Sequence, residues 1–109
     1  GWEAVLVPML LVGCDGGTNA TSGVVPEVTR SIYDLFRAGR IDEAMQLNYR
    51  LLRLFDEIVY SADFPLGVRA AVELRGIKLG PPRHPLTPGQ QQDYAKLQGV
   101  LESIITEFE

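Results

Sequence analysis

The segment at residues 80–88 limits what this chain can fold into more than any other stretch. Three prolines fall within residues 80–85, and each removes a backbone N–H donor and fixes φ, so this part can be neither helix interior nor central strand. Thr87 followed by Pro88 is typical of a helix start, with threonine as the N-cap and proline in the first turn. Gly76 is placed to end the preceding helix. The sequence therefore predicts a stiff, extended connection between two helices.

Apolar residues recur at helical spacing through most of the remaining chain. The pattern is clearest from about residue 42 to residue 60, where the spacing alternates between three and four. Its apolar positions are Ala44, Leu47, Leu51, Leu54 and Ile58. Other helices are predicted over residues 3–12, 26–39 and 65–75, and from residue 88 onward. Pro26 suits the start of the second of these, whereas Gly13 and Gly39 suit helix ends.

A short run of small and β-branched residues, 18–22, predicts one buried strand. The expected fold is therefore mainly α with at most one short strand. A lone strand cannot satisfy its own backbone donors and acceptors, so the pattern also predicts that these residues belong to something larger.

Composition excludes several classes of function. The 109 residues carry a net charge of −4, and their basic residues are scattered, which argues against a nucleic-acid partner. Cys14 is the only cysteine and His84 the only histidine, so neither a disulfide framework nor a zinc site built from these residue types is expected.

An apolar run at residues 4–14 raises the question of a membrane segment. It is shorter than the roughly 20 residues that a spanning helix needs. Residues 11–14, Leu-Val-Gly-Cys, have the look of a bacterial lipoprotein cleavage box, but the acidic Glu3 precedes the run where a secretory signal has positive charge. A buried helix is the preferred interpretation, and no membrane partner is expected.

Several motifs along the whole chain, taken together, resemble one family of enzymes. They are Gly1-Trp2-Glu3, Gly13-Cys14-Asp15-Gly16-Gly17, Pro26-Glu27, Gly39-Arg40-Ile41-Asp42-Glu43-Ala44 and Gly80-Pro81-Pro82-Arg83-His84-Pro85-Leu86-Thr87-Pro88. Their order and spacing are similar to the last third of the dihydrodipicolinate synthase and N-acetylneuraminate lyase family, the class I pyruvate-dependent aldolases. Each motif alone is weak, and the combination carries the resemblance.

The resemblance implies the C-terminal part of a (β/α)8 barrel followed by a helical extension. Residues 1–39 would form the end of the barrel, with its seventh helix, eighth strand and eighth helix, and residues 40–109 the C-terminal helical region. A closed barrel typically needs roughly 250 residues, which this chain does not supply alone. Two departures bear on the subfamily: Gly23 replaces a common asparagine, and Ala4 replaces a second carboxylate. The Asp-Gly-Gly turn is most similar to the 2-keto-3-deoxy sugar acid aldolases.

In that family a lysine condenses with the ketone of pyruvate, and the resulting iminium accepts electrons as a carbon–carbon bond forms or breaks. The matching strand lies upstream of this chain, so the resemblance implies a segment without the catalytic lysine. Lys78 and Lys96 are interpreted as solvated surface residues. No catalytic residue, metal or cofactor is therefore assigned, and a cytoplasmic location is expected.

The resemblance also implies which residues would border the substrate, pyruvate or another 2-keto acid. They are Gly1, Glu3, Thr18, Asn19 and Ala20, which follow or lie on the last two barrel strands. In the alternative structural interpretation, Glu3 caps the first helix and Asn19 satisfies a turn.

Two expectations concern partners. The apolar faces of such a segment predict a homo-oligomer or association with the rest of the barrel. A different class of function also remains open, an autonomous helical module that binds a partner helix. The absence of a 20–50-residue repeat disfavours that module.

Overall fold

The computed structural model describes residues 2–109, and within them it contains five α-helices and no β-strand. Two short 3-10 turns accompany the helices, at Glu3–Val5 and Ala20–Gly23. The helices are α1 (Leu6–Leu11), α2 (Pro26–Arg37), α3 (Ile41–Tyr60), α4 (Leu66–Leu74) and α5 (Pro88–Thr106). The predicted helices are thus confirmed, with α1 preceded by a 3-10 turn rather than being helical from residue 3. None of the five is long and apolar enough to cross a bilayer.

The strand predicted at residues 18–22 is wrong for the part of the chain that the structure describes. Asn19 is extended, with φ −119° and ψ 126°, and the chain then enters the Ala20–Gly23 turn. In that turn the Val24 N–H donates to the Thr21 carbonyl over 3.0 Å, a local bond. β-Branched residues predict a strand only where a neighbouring strand pairs with them, because ladder bonds are never local. No second strand is present among residues 2–109.

Glycine ends α2 and α4 as the sequence predicts. Gly39 has φ of +78° and Gly76 of +89°, the left-handed region that side chains with a Cβ rarely adopt. After α2, the N–H of Gly39 donates to the Phe36 carbonyl and the N–H of Arg40 to the Leu35 carbonyl. These two bonds form a Schellman motif, which satisfies carbonyls left free at a helix end.

Contacts divide the chain into two compact units, Gly1–Phe55 and Asp56–Glu109, with the boundary inside α3. We call them the N-terminal unit and the C-terminal unit. The boundary at residues 39 and 40, implied by the family resemblance, is a different division and stays a prediction.

In the N-terminal unit, α2 contacts both α1 and the Ala20–Gly23 turn. Its buried apolar side chains come from α1, from the residues just before α2, and from α2 and α3. They are Leu6, Val7, Leu10, Val24, Val25, Val28, Ile32, Ala44, Leu51, Leu54 and Phe55. These helices hold the turns at residues 14–23 in place.

In the C-terminal unit, α4 packs on α5. Thr87 caps α5: its hydroxyl accepts from the Gln90 N–H, and the Gln90 side chain accepts from the Thr87 N–H. This reciprocal pair is a capping box, and Pro88 occupies the first helical position. The start predicted for this helix is therefore confirmed in its atomic detail.

Candidate functional site

A cleft of about 470 Å³ opens in the N-terminal unit, between the start of the chain and the turn that follows α1. We call it the N-terminal cleft. Its lining residues are Trp2, Val5, Leu6, Met9, Cys14, Gly16, Gly17, Thr18 and Asn19. One wall is apolar and comes from the Glu3–Val5 turn and α1, while the other carries the polar side chains of Thr18 and Asn19. Such a combination can hold a small organic molecule and orient its polar groups.

Trp2 stands at the rim of this cleft. Its indole is 56% exposed and packs against Phe55, with ring centroids 5.6 Å apart and a tilt of 50° between the ring planes. Trp2 is also the only tryptophan in the chain. Its fluorescence is therefore a built-in reporter of the cleft.

The predicted substrate-contact residues lie in three different environments. Thr18 and Asn19 line the N-terminal cleft, and the exposed Ala20 begins the 3-10 turn beside it. Glu3 does not line the cleft, because its side chain is buried at 1% exposure. Gly1 lies outside the described residues. The structure thus places Thr18 and Asn19 together in the lining of the cleft and leaves Glu3 buried and outside that lining.

The carboxylate of Glu3 bonds to the backbone far along the chain. Its Oε1 accepts from the N–H of Thr21 over 2.7 Å, a bond between residues 18 positions apart. A bond from an N–H to a carboxylate is charge-assisted and stronger than one between neutral groups. The alternative in which Glu3 caps its own helix is wrong, since that turn has no side-chain cap and the carboxylate reaches Thr21 instead. Asn19 does take part in a turn, because its carbonyl accepts from Ser22 N–H.

Asn48 is a residue that the sequence analysis missed. Its side chain is buried on α3, where Oδ1 accepts from the Val7 N–H and Nδ2 donates to the Glu3 carbonyl, both over 3.0 Å. These bonds span 41 and 45 residues. A signal was present in the sequence: Asn48 lies four residues after Ala44 and three before Leu51, inside an apolar stripe. A polar residue in such a position predicts a buried hydrogen-bond partner.

We call the group formed by Glu3, Thr21 and Asn48 the polar clamp. Its amide, carboxylate and backbone groups are paired, but the Thr21 hydroxyl is not. In the part of the chain that the structure describes, that hydroxyl is buried and has no hydrogen-bond partner. Buried hydroxyls are normally satisfied, so the Thr21 hydroxyl is an exception within the clamp.

A second, shallower depression of about 260 Å³ adjoins the cleft and shares Leu6, Gly16, Gly17 and Asn19 with it. Arg30 lines this depression, but its guanidinium is already engaged. It bonds Asp34 at 3.0 Å and lies 5.4 Å from the centroid of the Tyr33 ring. The hydrogen bond that Arg30 donates to the Asp34 carboxylate raises the pKa of Arg30, so the residue stays a cation paired to its own helix.

Neither lysine lies at the cleft. Lys78 is exposed in the segment after α4, and Lys96 is exposed on α5, both in the C-terminal unit. Among residues 2–109 no group of three or more His, Cys, Asp or Glu side chains is placed to hold a metal ion.

Comparison with known proteins identifies the family to which the chain belongs. The sequence model of the Dihydrodipicolinate synthetase family matches residues 1–104. The chain therefore belongs to that family, and it corresponds to the family's C-terminal part. The resemblance seen in its motifs is confirmed.

Individual relatives agree with this assignment. The chain is 35% identical over 108 residues to 4-hydroxy-tetrahydrodipicolinate synthase of Synechococcus elongatus, covering 99% of this chain and 34% of the relative. It is 30% identical over 104 residues to the enzyme of the same name from Archaeoglobus fulgidus, covering 95% and 36%. An uncharacterized DapA-like lyase of Thermofilum pendens is 30% identical over 105 residues, covering 95% and 35%. The chain thus spans about a third of the length of these relatives. No solved structure gives a significant match.

Proposed function

We propose that this chain is the C-terminal segment of a cytoplasmic, pyruvate-dependent Schiff-base aldolase or lyase. The observation that carries the proposal is the family match over residues 1–104. Two of the relatives described above are named 4-hydroxy-tetrahydrodipicolinate synthase, and a third is named a lyase. In this proposal residues 1–39 form the end of a (β/α)8 barrel and residues 40–109 the helical region after it. The family match favours this function over an autonomous helical module.

The reactive lysine of the proposed enzyme lies outside this segment. A Schiff-base lysine must be partly unprotonated near neutral pH, which usually requires burial in a pocket. Lys78 and Lys96 are both exposed, belong to the C-terminal unit and are not among the residues that line the N-terminal cleft. Their surroundings support surface roles, so the segment contributes to binding rather than to the covalent step.

The proposed contribution is one wall of the substrate site. Barrel enzymes place their site at the carboxyl ends of strands and in the loops that follow. Thr18 and Asn19 line a cleft large enough for a small 2-keto acid, and a hydroxyl and an amide can both bond to its oxygens. Gly1 and Ala20 are proposed to border the same substrate through their backbone.

The exposed apolar side chains of the N-terminal unit support a structural partner, either the rest of the barrel or another copy of the chain. Trp2, Val5, Met9, Leu11 and Val12 are each at least 42% exposed. Large apolar groups that cluster on a surface usually mark an interface. Sedimentation of the 109-residue chain at tens of micromolar should show self-association, and a clean monomer would contradict the proposal of a homo-oligomer.

Borohydride reduction in the presence of pyruvate tests the proposal that this segment contributes to binding and that the reactive lysine lies outside it. The 109-residue chain alone should keep its intact mass, because it holds no competent amine. When the chain is joined to the first two thirds of the Synechococcus elongatus relative, the hybrid should gain the mass of one reduced pyruvate. The relative's portion without this segment serves as the matched control and should gain none.

One outcome would contradict the proposal directly. An adduct on the isolated chain that disappears in a Lys78→Arg, Lys96→Arg double variant would show that this segment carries its own reactive lysine. The arginine variants keep the positive charge at both exposed positions, so loss of the adduct would report the amine chemistry and not a change in folding.

A further inference from the structure

The position of Glu3 conflicts with direct contact to a substrate. It is the one carboxylate in the predicted contact set, yet its side chain is 1% exposed. A carboxylate with so little access to solvent must have its negative charge balanced by donors within the protein. The donor here is the Thr21 N–H, 2.7 Å from Oε1.

Thr21 links this carboxylate to the wall of the cleft. It follows Ala20 and lies two residues after Asn19, so fixing the Thr21 amide fixes the path of the chain through Thr18 and Asn19. The amide lies in the first part of the Ala20–Gly23 turn, where backbone N–H groups lack partners within the turn. The residue before the turn, Asn19, supplies no side-chain cap. Glu3 therefore supplies an acceptor that the turn itself does not.

Asn48 bonds to the backbone of Glu3, whereas Thr21 bonds to its side chain. Its Nδ2 donates to the Glu3 carbonyl while its Oδ1 accepts from Val7 N–H, so one amide fixes two points on the chain near Glu3. All three bonds of the clamp are buried and join residues 18 or more positions apart. A buried hydrogen bond favours one geometry over others, because moving the Glu3 carboxylate would leave the Thr21 N–H without its acceptor.

We infer that Glu3 is a positioning residue of the proposed site. Its carboxylate acts through the Thr21 amide to set Thr18 and Asn19 against the cleft, and Asn48 holds Glu3 in register. The inference rests on the proposed function for the statement that Thr18 and Asn19 face a substrate. The contact role first expected for Glu3 then belongs to the two side chains that it positions.

Amide NMR of the 109-residue chain tests this role by comparing Glu3→Ala with the conservative variant Glu3→Gln. Glu3→Gln keeps an oxygen that can accept from Thr21 N–H, whereas Glu3→Ala does not. In Glu3→Ala, exchange of the Thr21 amide hydrogen should be at least about tenfold faster, because the buried amide loses the acceptor that protects it. The Thr18 and Asn19 amide resonances should shift in the same variant. Glu3→Gln should keep all three close to the parent.

Glu102 provides the matched control, because it is exposed on α5. Glu102→Ala and Glu102→Gln remove the same atoms and the same charge and should leave residues 18–21 unchanged. The inference is overturned if Glu3→Ala shifts the amides of Thr18 and Asn19 no more than Glu102→Ala does. It is equally overturned if Glu3→Gln shifts them as far as Glu3→Ala, because a purely charge-based role would show no rescue.

A measurement on the parent chain decides the matter if Glu3→Ala fails to fold. A spectrum that detects coupling through hydrogen bonds should connect the Thr21 amide nitrogen with the Glu3 side-chain carboxyl carbon. A parent chain with no such coupling, and with a Thr21 amide that exchanges as fast as exposed amides, would overturn the inference. Neither measurement uses pyruvate, so its result is independent of borohydride trapping, and the two hypotheses can fail separately.

Discussion

Different kinds of contact stabilise the interior of each of the two units. In the N-terminal unit, three buried hydrogen bonds of the polar clamp join residues 18, 41 and 45 positions apart. In the C-terminal unit, α4 packs on α5, and the polar contacts are exposed or part-buried. Both units bury apolar side chains, but only the first adds the clamp's buried polar pairs between distant residues, whereas the second adds exposed or part-buried contacts and the cap at Thr87.

This difference matters because the two kinds of contact define a geometry to different degrees. Apolar packing is non-directional and tolerates small shifts, whereas a buried polar pair is favourable in only one arrangement. In the N-terminal unit, the clamp ties the Ala20–Gly23 turn to Glu3 and ties Glu3 to α3. The C-terminal unit uses small residues instead: Gly67, Ala70 and Ala71 are all buried on α4 and permit close approach of the backbone.

The largest expected effect tests the packing of the C-terminal unit. A Cβ at Gly67 would lie 2.7 Å from the carbonyl carbon of Ile58, and the backbone of Ile58 cannot move aside as a flexible side chain could. Gly67→Ala should therefore lower the free energy of unfolding by about 3 kcal/mol, the upper end for overpacking. Urea denaturation followed by far-UV circular dichroism measures the change.

Gly99 makes the matched control for that substitution. It lies inside α5, is exposed, and has no atom within 4 Å of the place that a Cβ would take. Gly99→Ala should stabilise the chain by about 0.5–1 kcal/mol, because alanine restricts the unfolded chain and favours helix. Equal effects at the two glycines would mean that close approach to Ile58 does not determine the packing of the unit.

The second effect tests the polar clamp. Asn48→Ala removes the acceptor of the buried Val7 N–H and leaves the Glu3 carbonyl with only its bond from the Leu6 N–H, which should cost about 2 kcal/mol of the free energy of unfolding. Trp2 fluorescence during urea denaturation reports this unit directly, since Trp2 packs on Phe55. Gln46→Ala, on the exposed side of the same helix, should change the free energy of unfolding by less than about 0.5 kcal/mol. A loss at Asn48 no greater than at Gln46 would remove the distinction between the two units.

The parts of the fold that could be predicted from the sequence are those with local causes. Gly39 and Gly76 end helices because only glycine adopts positive φ at little cost, and Thr87 with Pro88 starts one because the capping groups lie within the same turn. The family was also predictable, because its motifs are spread over the whole chain. The helix ends and starts have their physical cause within a few residues of the feature. The family is recognised from an ordered series of motifs.

The features that could not be predicted depend on partners distant in sequence. A carboxylate at position 3 looks the same whether it faces a substrate or a backbone amide, and only the fold brings Thr21 to it. The strand at residues 18–22 was wrong for a related reason, since composition cannot show whether a neighbouring strand is present to pair with. Asn48 was detectable as a polar residue in an apolar stripe, but its two partners were not.

A smaller effect tests the local cap of the C-terminal unit. Thr87→Ala removes the hydroxyl that accepts from Gln90 N–H and should lower the free energy of unfolding by about 1 kcal/mol. Thr87→Ser keeps the hydroxyl and should nearly restore the parent value. Thermal denaturation of the three proteins measures the difference. A loss in Thr87→Ser as large as that in Thr87→Ala would show that the capping box is not the cause.

The smallest effect appears only in alkaline solution and concerns Tyr94, also in the C-terminal unit. Burial, followed by the 2.7 Å hydrogen bond that its hydroxyl donates to Glu73, raises the pKa of Tyr94 from 10.0 to about 12. Because this pKa is higher in the folded chain than in the unfolded chain, the stabilisation is fully present below pH 10. It is lost as the pH rises from 10 towards 12, where the unfolded chain releases the proton more readily.

Ultraviolet absorbance of tyrosinate during an alkaline titration checks this behaviour. The parent chain should show a component with a midpoint near pH 12 that is absent in Tyr94→Phe. The same variant should also lose the decline in stability assigned to Tyr94 above pH 10. Tyr49→Phe changes a tyrosine that is 57% exposed in the N-terminal unit and should leave the component at pH 12 in place. A parent titration without that component would show that the Tyr94–Glu73 contact is open to water. The C-terminal unit would then rest on apolar packing and helix caps alone.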